Sequence, residues 1–555
     1  LNKLNMTFET EGLHLYPELF LCGYPLKYLC LNPHFINQYN AFLEQLNKWS
    51  LSQPASNQKC ALMGGLSYEF NSHGLPQKIY NVIFELKPQQ KLKVVYEKKL
   101  LPNYDIFDEG KYFTAGKKDG PWSWNNHNFA LMICEDMWPS NVHAEDPCQS
   151  LSLLQKEFPF HAVINLSASP FHLGKMHKRL ERAQEISHDL QAPFLYVNKV
   201  GGEDEILFDG QSFVVNADVT CLKLSAFQEE HSSFILPAKA SYQPPKKATE
   251  NTWENLFTPR LEKNIPHLKK MSPPECAELI AAVCFGLQEY LQKSGHKKMM
   301  VALSGGLDST LVLTLAKLSL QKDQTLEALY MPSEYSSALS TKGAEDLCHN
   351  LKVPLNTLPI EPFHHLAREK FAQTFHAPLQ GLADENIQSR MRMTFLFARA
   401  NATGALVLNT SNKSEIAVGY STQYGDSAGA ISLLGDLYKT EIFELAHYIN
   451  SIHPHLIPLD IIKRPPSAEL RAHQTDEASL LPYPKLDAIL EGLLNSSYNL
   501  LQLEQRGFKK ENLQKISRLI DLSEYKRFQF CPIIKLKSKS FGFGHRLPLT
   551  SKKLD

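Results

Sequence analysis

A hexapeptide rich in serine and glycine, SGGLDS at residues 304–309, joins a short apolar run to a helical pattern. Glycines let a backbone approach an anion because they carry no Cβ, and the first turn of a helix presents unpaired N–H groups. We therefore predict that this segment cradles phosphate groups, with an ordinary strand–turn–helix connection as the alternative. The G-x4-G-K-[ST] pattern is absent from the sequence, so the phosphate chemistry of kinases and motor ATPases is not expected.

Charged residues follow a second apolar strand, LVLNT, which begins at Leu406. They are Lys413, Glu415, Asp426, Asp436 and Lys439. Carboxylates bind Mg²⁺ beside phosphate oxygens, and lysines neutralise a leaving pyrophosphate. These residue types favour ATP chemistry, although a solvated charged loop would contain them too.

The first half of the chain offers a nucleophile, Cys134, at the end of the apolar strand in LMICEDMWP. Glu18 ends another short strand in YPELFLCGYP, and Lys98 precedes a turn in YEKKLLPNY. A carboxylate can accept a thiol proton, and an ammonium can lower a thiol pKa and face an oxyanion. Taken singly, each residue also has a plain structural interpretation: a core cysteine, a turn carboxylate and a surface lysine.

The second half of the chain resembles NAD synthetases, whose pattern reads N-K-S-E, then G-Y-x-T-x-Y-G-D, then G-D-L-x-K-T. Its SGGLDS segment resembles the pyrophosphate loop of N-type ATP pyrophosphatases, which cleave ATP between the α and β phosphates. Related enzymes that aminate xanthosine monophosphate or aspartate share the loop but not the longer pattern. Four further segments strengthen the resemblance: MPSEYSS (331–337), ENIQSRMR (385–392), KRPPSAELR (463–471) and EYKR (524–527).

This resemblance assigns roles to individual residues. The implied ATP-binding residues are Ser304, Gly305, Gly306, Leu307, Asp308, Ser309, Thr410 and Lys439. The implied deamido-NAD⁺-binding residues are Asn386, Glu415 and Lys526, and the implied Mg²⁺ ligands are Asp308 and Glu415. One departure is SLLGD at residues 432–436, where the family has Pro-Ile-Gly-Asp. We expect it to loosen the turn without removing a ligand.

The first half resembles nitrilase-type amidases, whose Glu–Lys–Cys triad matches Glu18, Lys98 and Cys134. Lys98 has the family spacing to the following Leu-Pro, and Lys99 is the alternative lysine. The resemblance implies glutamine-binding roles for Tyr104, Glu135, Ser169 and Lys175. The block VGGEDE carries Glu203 where the family often has Gln, which adds a charge of unknown effect.

Nitrilase-type domains normally place a strand and a helix before the Pro-Glu-Leu block, whereas here Leu1 is followed almost at once by Glu18. We expect LHLY to lead directly into Glu18, and the sandwich to lack its first strand and helix. An unpaired, poorly covered strand with exposed apolar side chains should result. The preferred explanation is that the printed sequence lacks the natural N-terminus, in which case restoring it should rescue a weak glutamine-dependent activity.

Alternating apolar runs and helical patterns predict an α/β protein. Buried strands are expected in HAVINLSAS (161–169), APFLYVNKVG (192–201), SFVVNADVT (212–220) and MMVAL (299–303), with helices in 174–190 and 273–295. We expect a nitrilase-like α-β-β-α sandwich over residues 1–237, a Pro- and Lys-rich linker over 238–270, and a doubly wound parallel-sheet ATP pyrophosphatase domain over 271–555.

Composition limits the kinds of partner and the cellular location that the protein can have. The 58 Lys+Arg balance 58 Asp+Glu, which gives no support for a nucleic-acid or membrane-surface partner. Ten cysteines without CxxC pairs favour reduced intracellular thiols. The sequence shows neither a signal peptide nor a spanning segment, so we expect a cytoplasmic protein, and by resemblance a homo-oligomer.

The implied activity is that of a ligase with glutamine as amide donor. Glutamine is hydrolysed to ammonia, ATP adenylates deamido-NAD⁺ (nicotinate adenine dinucleotide), and ammonia displaces AMP to give NAD⁺, with Mg²⁺ assisting. Two alternatives remain open: another glutamine amidotransferase on the same ATP-binding fold, and an ammonia-only synthetase whose N-terminal domain is structural. A non-enzymatic binding protein is a more distant third.

Overall fold

The computed structural model describes residues 9–118, 120–138, 145–236, 267–471, 474, 480–496 and 498–550. Two compact units divide the chain: Leu1–Glu203 with Leu207–Thr252, and Trp253–Asp555 with Asp204–Ile206. The predicted linker lies outside the described residues except for its last four, 267–270. Within the described ranges, none of the helices has the length and apolar character needed to cross a bilayer.

The first unit contains two sheets. The four-stranded sheet has the order β1-β2-β3-β4, with β1 Gly12–Leu15, β2 Lys59–Phe70, β3 Pro76–Leu86 and β4 Lys93–Glu97. The six-stranded sheet has the order β12-β11-β8-β7-β6-β5, with β5 Pro121–Trp124, β6 His127–Ile133, β7 Ala162–Ser167, β8 Phe194–Asn198, β11 Phe213–Asn216 and β12 Val219–Lys223. A short pair joins β9 Val200–Glu203 to β10 Ile206–Asp209. The helices are α1 Pro33–Leu51, α2 Pro147–Leu154 and α3 Lys175–Asp189.

Apolar side chains place these elements in four layers. Leu62 of β2 and Leu131 of β6 share the core between the two sheets. Leu46 of α1 covers the outer face of the four-stranded sheet, and Ile186 of α3 covers the outer face of the six-stranded sheet. Because the inner strand β7 is enclosed on both faces, all six of its residues are buried. This is the α-β-β-α sandwich that the nitrilase resemblance predicted.

The strand before Glu18 forms as predicted. β1 pairs with β2 in parallel, and no other described strand pairs with its second edge. The exposed apolar side chains expected at such an edge are not found in β1, because Leu13 and Leu15 are half-buried against the core between the sheets.

The second unit is built on five parallel strands in the order β15-β14-β13-β16-β17. Their bounds are β13 Lys298–Ala302, β14 Thr325–Tyr330, β15 Leu355–Thr357, β16 Leu406–Asn409 and β17 Ile431–Ser432. The helices are α4 Pro273–Ser294, α5 Leu307–Ser319, α6 Ala338–Leu351, α7 Glu361–Phe375, α8 Leu382–Thr403, α9 Lys413–Val418, α10 Lys439–Ile452, α11 Leu459–Lys463, α12 Tyr483–Leu490, α13 Leu500–Gln505, α14 Lys510–Leu522 and α15 Glu524–Phe528.

The strand order explains where ligands can bind in this unit. The chain starts in the middle with β13, extends to one edge through β14 and β15, and then returns to β16 on the other side. Met300 and Val407 face α8 in one apolar cluster. In sheets of this kind ligands bind outside the carboxyl ends of the strands where the strand order reverses, which here are β13 and β16. This is the predicted doubly wound sheet, and both chemical segments of the second half follow these two strands.

Candidate active sites

The first site is organised around Cys134, which directly follows β6. Its φ of +44° lies in the left-handed region, and its backbone N–H donates to Asn165 Oδ1 of β7 at 2.7 Å. Such strained turns at strand ends occur where a nucleophile is presented. The side chain is nearly enclosed, with 7% of its surface exposed.

Asp136 ties this turn to the segment that follows β4. Its Oδ2 accepts hydrogen bonds from Ile133 N and from the Tyr96 hydroxyl, both at 2.9 Å. Its Oδ1 accepts from Leu100 N at 2.8 Å and from the backbone N of Lys99, the alternative lysine, at 3.1 Å. Burial raises the pKa of Asp136 to about 6, although the hydrogen bonds from Leu100 and Ile133 favour its charged form.

Glu18 and Lys98 meet in a buried ion pair. Lys98 Nζ lies 2.8 Å from Glu18 Oε1, and each side chain is 1% exposed. Asn81 Nδ2 donates to the same Glu18 oxygen at 2.7 Å, and Ala168 N donates to Oε2 at 2.8 Å. Burial of a charge pair is tolerated when hydrogen bonds satisfy the remaining lone pairs, and here they hold the Glu18 carboxylate in one orientation.

A second carboxylate, Glu109, was missed by sequence reasoning. Lys98 Nζ lies 2.8 Å from Glu109 Oε1, and the Tyr24 hydroxyl donates to the same oxygen at 2.8 Å. Burial raises the pKa of Glu109 to about 7, while Lys98 lowers it and Glu18 raises it further. The only sequence signal was an acidic residue in the Lys98 segment, IFDEGKYF, which an exposed loop would also carry.

Burial and the neighbouring charges change the pKa of the Cys134 thiol. Burial raises the Cys134 pKa well above its usual range, Glu18 raises it further, and Lys98 opposes both. Burial alone would lower the Lys98 pKa, but Glu109 and Glu18 outweigh it and hold that pKa well above its usual value. The site therefore brings together a thiol of raised pKa, a lysine of raised pKa and the Glu18 carboxylate, the three residue types of the predicted triad.

Two of the predicted glutamine-binding residues, Tyr104 and Lys175, lie near a third, Glu135, which directly follows Cys134. The Tyr104 hydroxyl donates to both Glu135 oxygens at 3.0 Å, and Tyr104 itself is 53% exposed. Lys175 lies over the Trp138 ring at 4.9 Å from its centroid. Burial lowers the Lys175 pKa to about 8, Arg179 lowers it further, and Glu135 opposes them. The structure thus places a carboxylate, a hydroxyl and an ammonium close to the turn at Cys134.

Ser169 is held by a buried arginine that sequence reasoning also missed. Arg179 Nε and Nη2 donate to Ser169 Oγ at 3.3 and 3.2 Å, and Nη1 donates to both Asp209 oxygens at 2.8 Å. Asn198 Oδ1 accepts from Ser169 N at 2.9 Å. Helical spacing in α3 could have placed Arg179 on the buried face beside Met176 and Ala183, but a charged residue is rarely assigned there.

The second site begins with the SGGLDS segment. Ser304 N and Gly306 N donate to Ser309 Oγ and Ser304 Oγ, both at 3.2 Å, and the two hydroxyls lie 3.0 Å apart. Gly305 has a φ of +78°, and α5 begins at the buried Leu307. The loop therefore lies at a helix N-terminus at the carboxyl end of β13, as the phosphate-cradle prediction requires.

A clamp from the KRPPSAELR segment holds this loop. Arg464 Nη2 donates to the Gly305 carbonyl at 3.0 Å, and Nη1 donates to Ser340 Oγ at 2.6 Å. Ser340 Oγ also donates to Glu469, with both carboxylate oxygens at 2.9 Å. Arg464 and Glu469 were within a recognised segment but received no role, because their contacts with Gly305 and Ser340 join parts of the chain distant in sequence.

Asp308, Glu415 and Lys439 converge beside the loop. Lys439 Nζ contacts Asp308 Oδ2 and lies 3.8 Å from Glu415 Oε1, and Asn412 Nδ2 donates to Asp308 Oδ1 at 3.1 Å. Within the described ranges no cluster of three or more His, Cys, Asp or Glu could hold a metal. Two carboxylates nevertheless fit Mg²⁺, which is commonly bound by one or two carboxylates together with substrate phosphates.

Two of the residues predicted to bind the dinucleotide, Lys526 and Asn386, contact one loop after α9. Lys526 Nζ donates to the carbonyls of Gly419 and Ser421 at 2.7 and 2.6 Å, and Asn386 Oδ1 accepts from the Thr422 hydroxyl at 2.8 Å. Burial lowers the Lys526 pKa, and Asp426 opposes that effect. Glu415 is nearby in sequence, one turn into α9. Thr410 directly follows β16 at the strand-order reversal.

Two residues of the charged run have a structural function. Lys413 Nζ lies 2.8 Å from Asp436 Oδ1, and both side chains are almost fully buried. Asp436 Oδ2 accepts from Leu536 N and Lys537 N at 2.8 Å. The aspartate of the divergent SLLGD turn therefore anchors another part of the second unit.

Comparison with known proteins places the chain in a family. The NAD synthase family model matches residues 279–529. Proteins named glutamine-dependent NAD(+) synthetase from Synechocystis sp. PCC 6803 and Aquifex aeolicus are 36% and 33% identical, covering 97% and 98% of this chain and 92% and 94% of those proteins. The structure of glutamine-dependent NAD⁺ synthetase from Acinetobacter baumannii with adenosine diphosphate has 29% identity and a TM-score of 0.69, covering 99% of this chain and 94% of the other. The Cytophaga hutchinsonii structure, at 18% identity and a TM-score of 0.74, shows the same fold. The chain therefore belongs to the glutamine-dependent NAD⁺ synthetase family.

Proposed function

We propose that this chain makes NAD⁺ from deamido-NAD⁺, ATP and glutamine, with AMP, pyrophosphate and glutamate as the other products. The observation that carries the proposal is that one chain holds both a buried Glu18–Lys98 pair beside Cys134 and a clamped glycine loop beside Asp308, Glu415 and Lys439. The first set suits amide hydrolysis, and the second suits attack on the α-phosphate of ATP.

In the first unit, Glu18 takes the Cys134 thiol proton and the sulfur attacks the side-chain amide carbon of glutamine. Ammonia leaves, and water then hydrolyses the thioester to glutamate. Lys98 faces the oxyanion and stabilises it as a cation. Its two carboxylate contacts keep it charged. Lys175 and Glu135 suit the α-carboxylate and α-amino group of glutamine, since each offers the opposite charge. Tyr104 orients Glu135 through its hydroxyl.

In the second unit, the nicotinate carboxylate of deamido-NAD⁺ attacks the α-phosphorus of ATP, and pyrophosphate leaves. Ammonia then attacks the adenylated carbonyl carbon, and AMP leaves. The backbone N–H groups of residues 304–309 bind phosphate oxygens at the start of α5, and Lys439 offers a cation to them. Asp308 and Glu415 would hold Mg²⁺, which would neutralise phosphate charge when bound.

Asn386, Glu415 and Lys526 would bind deamido-NAD⁺ by shaping the loop after α9 that they already contact or adjoin. We further propose that the two units act as domains over residues 1–237 and 271–555. A reducing, cytoplasmic location is supported by ten cysteines that form no disulfide. Assembly into a homo-oligomer remains part of this proposal.

The deciding experiment supplies purified protein with ATP, Mg²⁺ and deamido-NAD⁺, and compares glutamine with ammonium chloride as nitrogen donor. NAD⁺ formed with both donors, identified by mass, supports the proposal. Activity with ammonium alone would favour the ammonia-only alternative. Amination of xanthosine monophosphate or aspartate in place of the dinucleotide would favour another amidotransferase.

A further inference from the structure

We propose that Tyr24 is a positioning residue of the glutaminase site, and that the ion pair between Lys199 and Glu203 holds it in place. The inference rests on the proposed glutaminase function, because it concerns the carboxylates that surround Lys98. None of these three residues was given a role by the triad or by the glutamine-binding set.

The hydroxyl of Tyr24 contacts the group that anchors the catalytic lysine. It donates to Glu109 Oε1 at 2.8 Å, and Lys98 Nζ reaches the same oxygen at 2.8 Å. Tyr24 is 5% exposed, so little water can replace this donor. The Glu109 carboxylate therefore receives two donors on one oxygen, and Tyr24 fixes the direction from which it approaches Lys98.

The backbone and ring of Tyr24 are held from a different element. Lys199 Nζ donates to the Tyr24 carbonyl at 2.9 Å and lies over the Phe208 ring at 4.7 Å from its centroid. The Tyr24 ring meets the same Phe208 ring edge-on, with centroids 6.0 Å apart. The Lys199 ammonium thus contacts both the Tyr24 main chain and the Phe208 ring against which the Tyr24 ring packs.

Glu203 supplies the charge that keeps Lys199 in this position. Its Oε1 lies 2.9 Å from Lys199 Nζ, with the two side chains 33% and 15% exposed. This contact gives a physical account of the glutamate that replaces the family's usual glutamine. Lys199 therefore balances the added negative charge locally.

Removing the Tyr24 hydroxyl has a definite electrostatic sign. Glu109 faces Lys98, Glu18 and Tyr24, and Tyr24 in turn faces Lys199 and lies within electrostatic range of Cys134. Donation from Tyr24 favours the ionised carboxylate, so its loss raises the Glu109 pKa above its present value of about 7. A protonated Glu109 is a weaker anchor for Lys98, so glutamine hydrolysis should fail at a higher pH than before.

The test is the pH profile of glutamine hydrolysis by the full-length Tyr24→Phe protein. We expect the acid limb of kcat to move upward by about one pH unit, the size of a charge-assisted hydrogen bond. The KM for glutamine should change much less, since Tyr24 does not touch the proposed glutamine-binding residues. Tyr39→Phe is the matched control, because Tyr39 is also buried in this unit and its hydroxyl hydrogen-bonds to the backbone of Leu66 rather than to a carboxylate.

A second pair of variants tests the hold on Tyr24. Lys199→Met should shift the acid limb in the same direction by a smaller amount, and Lys199→Arg, which keeps a cationic donor, should restore the parent profile. The circular dichroism spectrum and thermal unfolding of each preparation report intact folding of the first unit, and ammonia-dependent NAD⁺ formation reports that of the second. If the pH profiles of Tyr24→Phe and Tyr39→Phe coincide, the inference about Tyr24 is wrong, while the proposed glutaminase function stands. A parent protein that hydrolyses no glutamine would overturn the proposed glutaminase, and the inference with it.

Discussion

At the scale of single residues, the two sites share one arrangement: a buried lysine placed between two carboxylates. Lys98 lies between Glu18 and Glu109, and Lys439 lies between Asp308 and Glu415. The surroundings differ. Glu18 also accepts hydrogen bonds from Asn81 and Ala168, so its geometry is fully specified. Asp308 and Glu415 are 19% and 17% exposed, which leaves them accessible to phosphate and cation.

Cys134→Ala should abolish glutamine-dependent NAD⁺ formation while leaving ammonia-dependent formation intact. Loss of a nucleophile removes the covalent path, so we expect a drop of roughly three orders of magnitude or more with glutamine. Cys60→Ala is the control, since Cys60 is a fully buried cysteine of the same core. Persistent glutamine use by the Cys134 variant would mean that another residue forms the thioester.

Asp308→Asn should stop AMP formation while glutamine hydrolysis continues. The substitution keeps the shape of the side chain but removes its negative charge. That charge is proposed to hold Mg²⁺, and the carboxylate also contacts Lys439. Asp323→Asn serves as the control, because Asp323 is an exposed aspartate paired with Lys297 in the same unit. NAD⁺ synthesis from ammonia at the parent rate in Asp308→Asn would contradict the assignment of the loop.

At the scale of elements, backbone geometry at Gly305 decides whether the SGGLDS loop can form. Its φ is +78°, and an added Cβ would lie 2.4 Å from the Ser340 carbonyl oxygen at the start of α6. Gly295, which ends α4, has a similar φ of +75° but open space around it. Comparing these two glycines separates the cost of a left-handed alanine from the cost of bringing a Cβ close to the Ser340 carbonyl.

Gly305→Ala should therefore lose ATP-dependent activity, and Gly295→Ala should not. Both variants carry the strain of a left-handed alanine, roughly 1–2 kcal/mol. In Gly305→Ala alone, the new Cβ would also clash with α6, so either α6 or the loop must shift, and the loop would move away from Arg464. Thermal unfolding and AMP formation measure the two effects separately. Equal ATP-dependent activity in the two variants would show that the close approach is unimportant.

Sequence patterns located several elements where the signal is local, but SFVVNADVT, predicted as one buried strand, forms β11 and the largely exposed β12 with a turn between them. The strands of HAVINLSAS and MMVAL and the helix that starts at Pro273 are confirmed. Glu109, Arg179 and Arg464 were missed because their partners lie elsewhere in the chain or outside any recognised role. Local periodicity predicts which residues are buried, but a buried ion pair depends on the partner that folding brings to it.

At the scale of the whole molecule, the two proposed half-reactions are linked by ammonia. Neutral ammonia is the nucleophile, and in water near neutral pH it is mostly protonated. Ammonia released to solvent would therefore be diluted and largely unreactive before it met the adenylated dinucleotide. We expect the intact protein to use glutamine nitrogen without exchange into bulk solvent.

The final prediction concerns an enzyme that consumes free ammonia. Glutamate dehydrogenase with 2-oxoglutarate and NADPH should leave glutamine-dependent NAD⁺ formation by the parent protein nearly unchanged. The same scavenger should abolish NAD⁺ formation from added ammonium chloride, which is the control that scavenging works. An equimolar mixture of Cys134→Ala and Asp308→Asn, with one defective half-reaction each, tests transfer through solvent. If its NAD⁺ formation is scavenger-sensitive while the parent's is not, nitrogen transfer depends on both sites being intact in one protein. Equal sensitivity of parent and mixture would mean that the two sites merely share a chain and exchange ammonia through solvent.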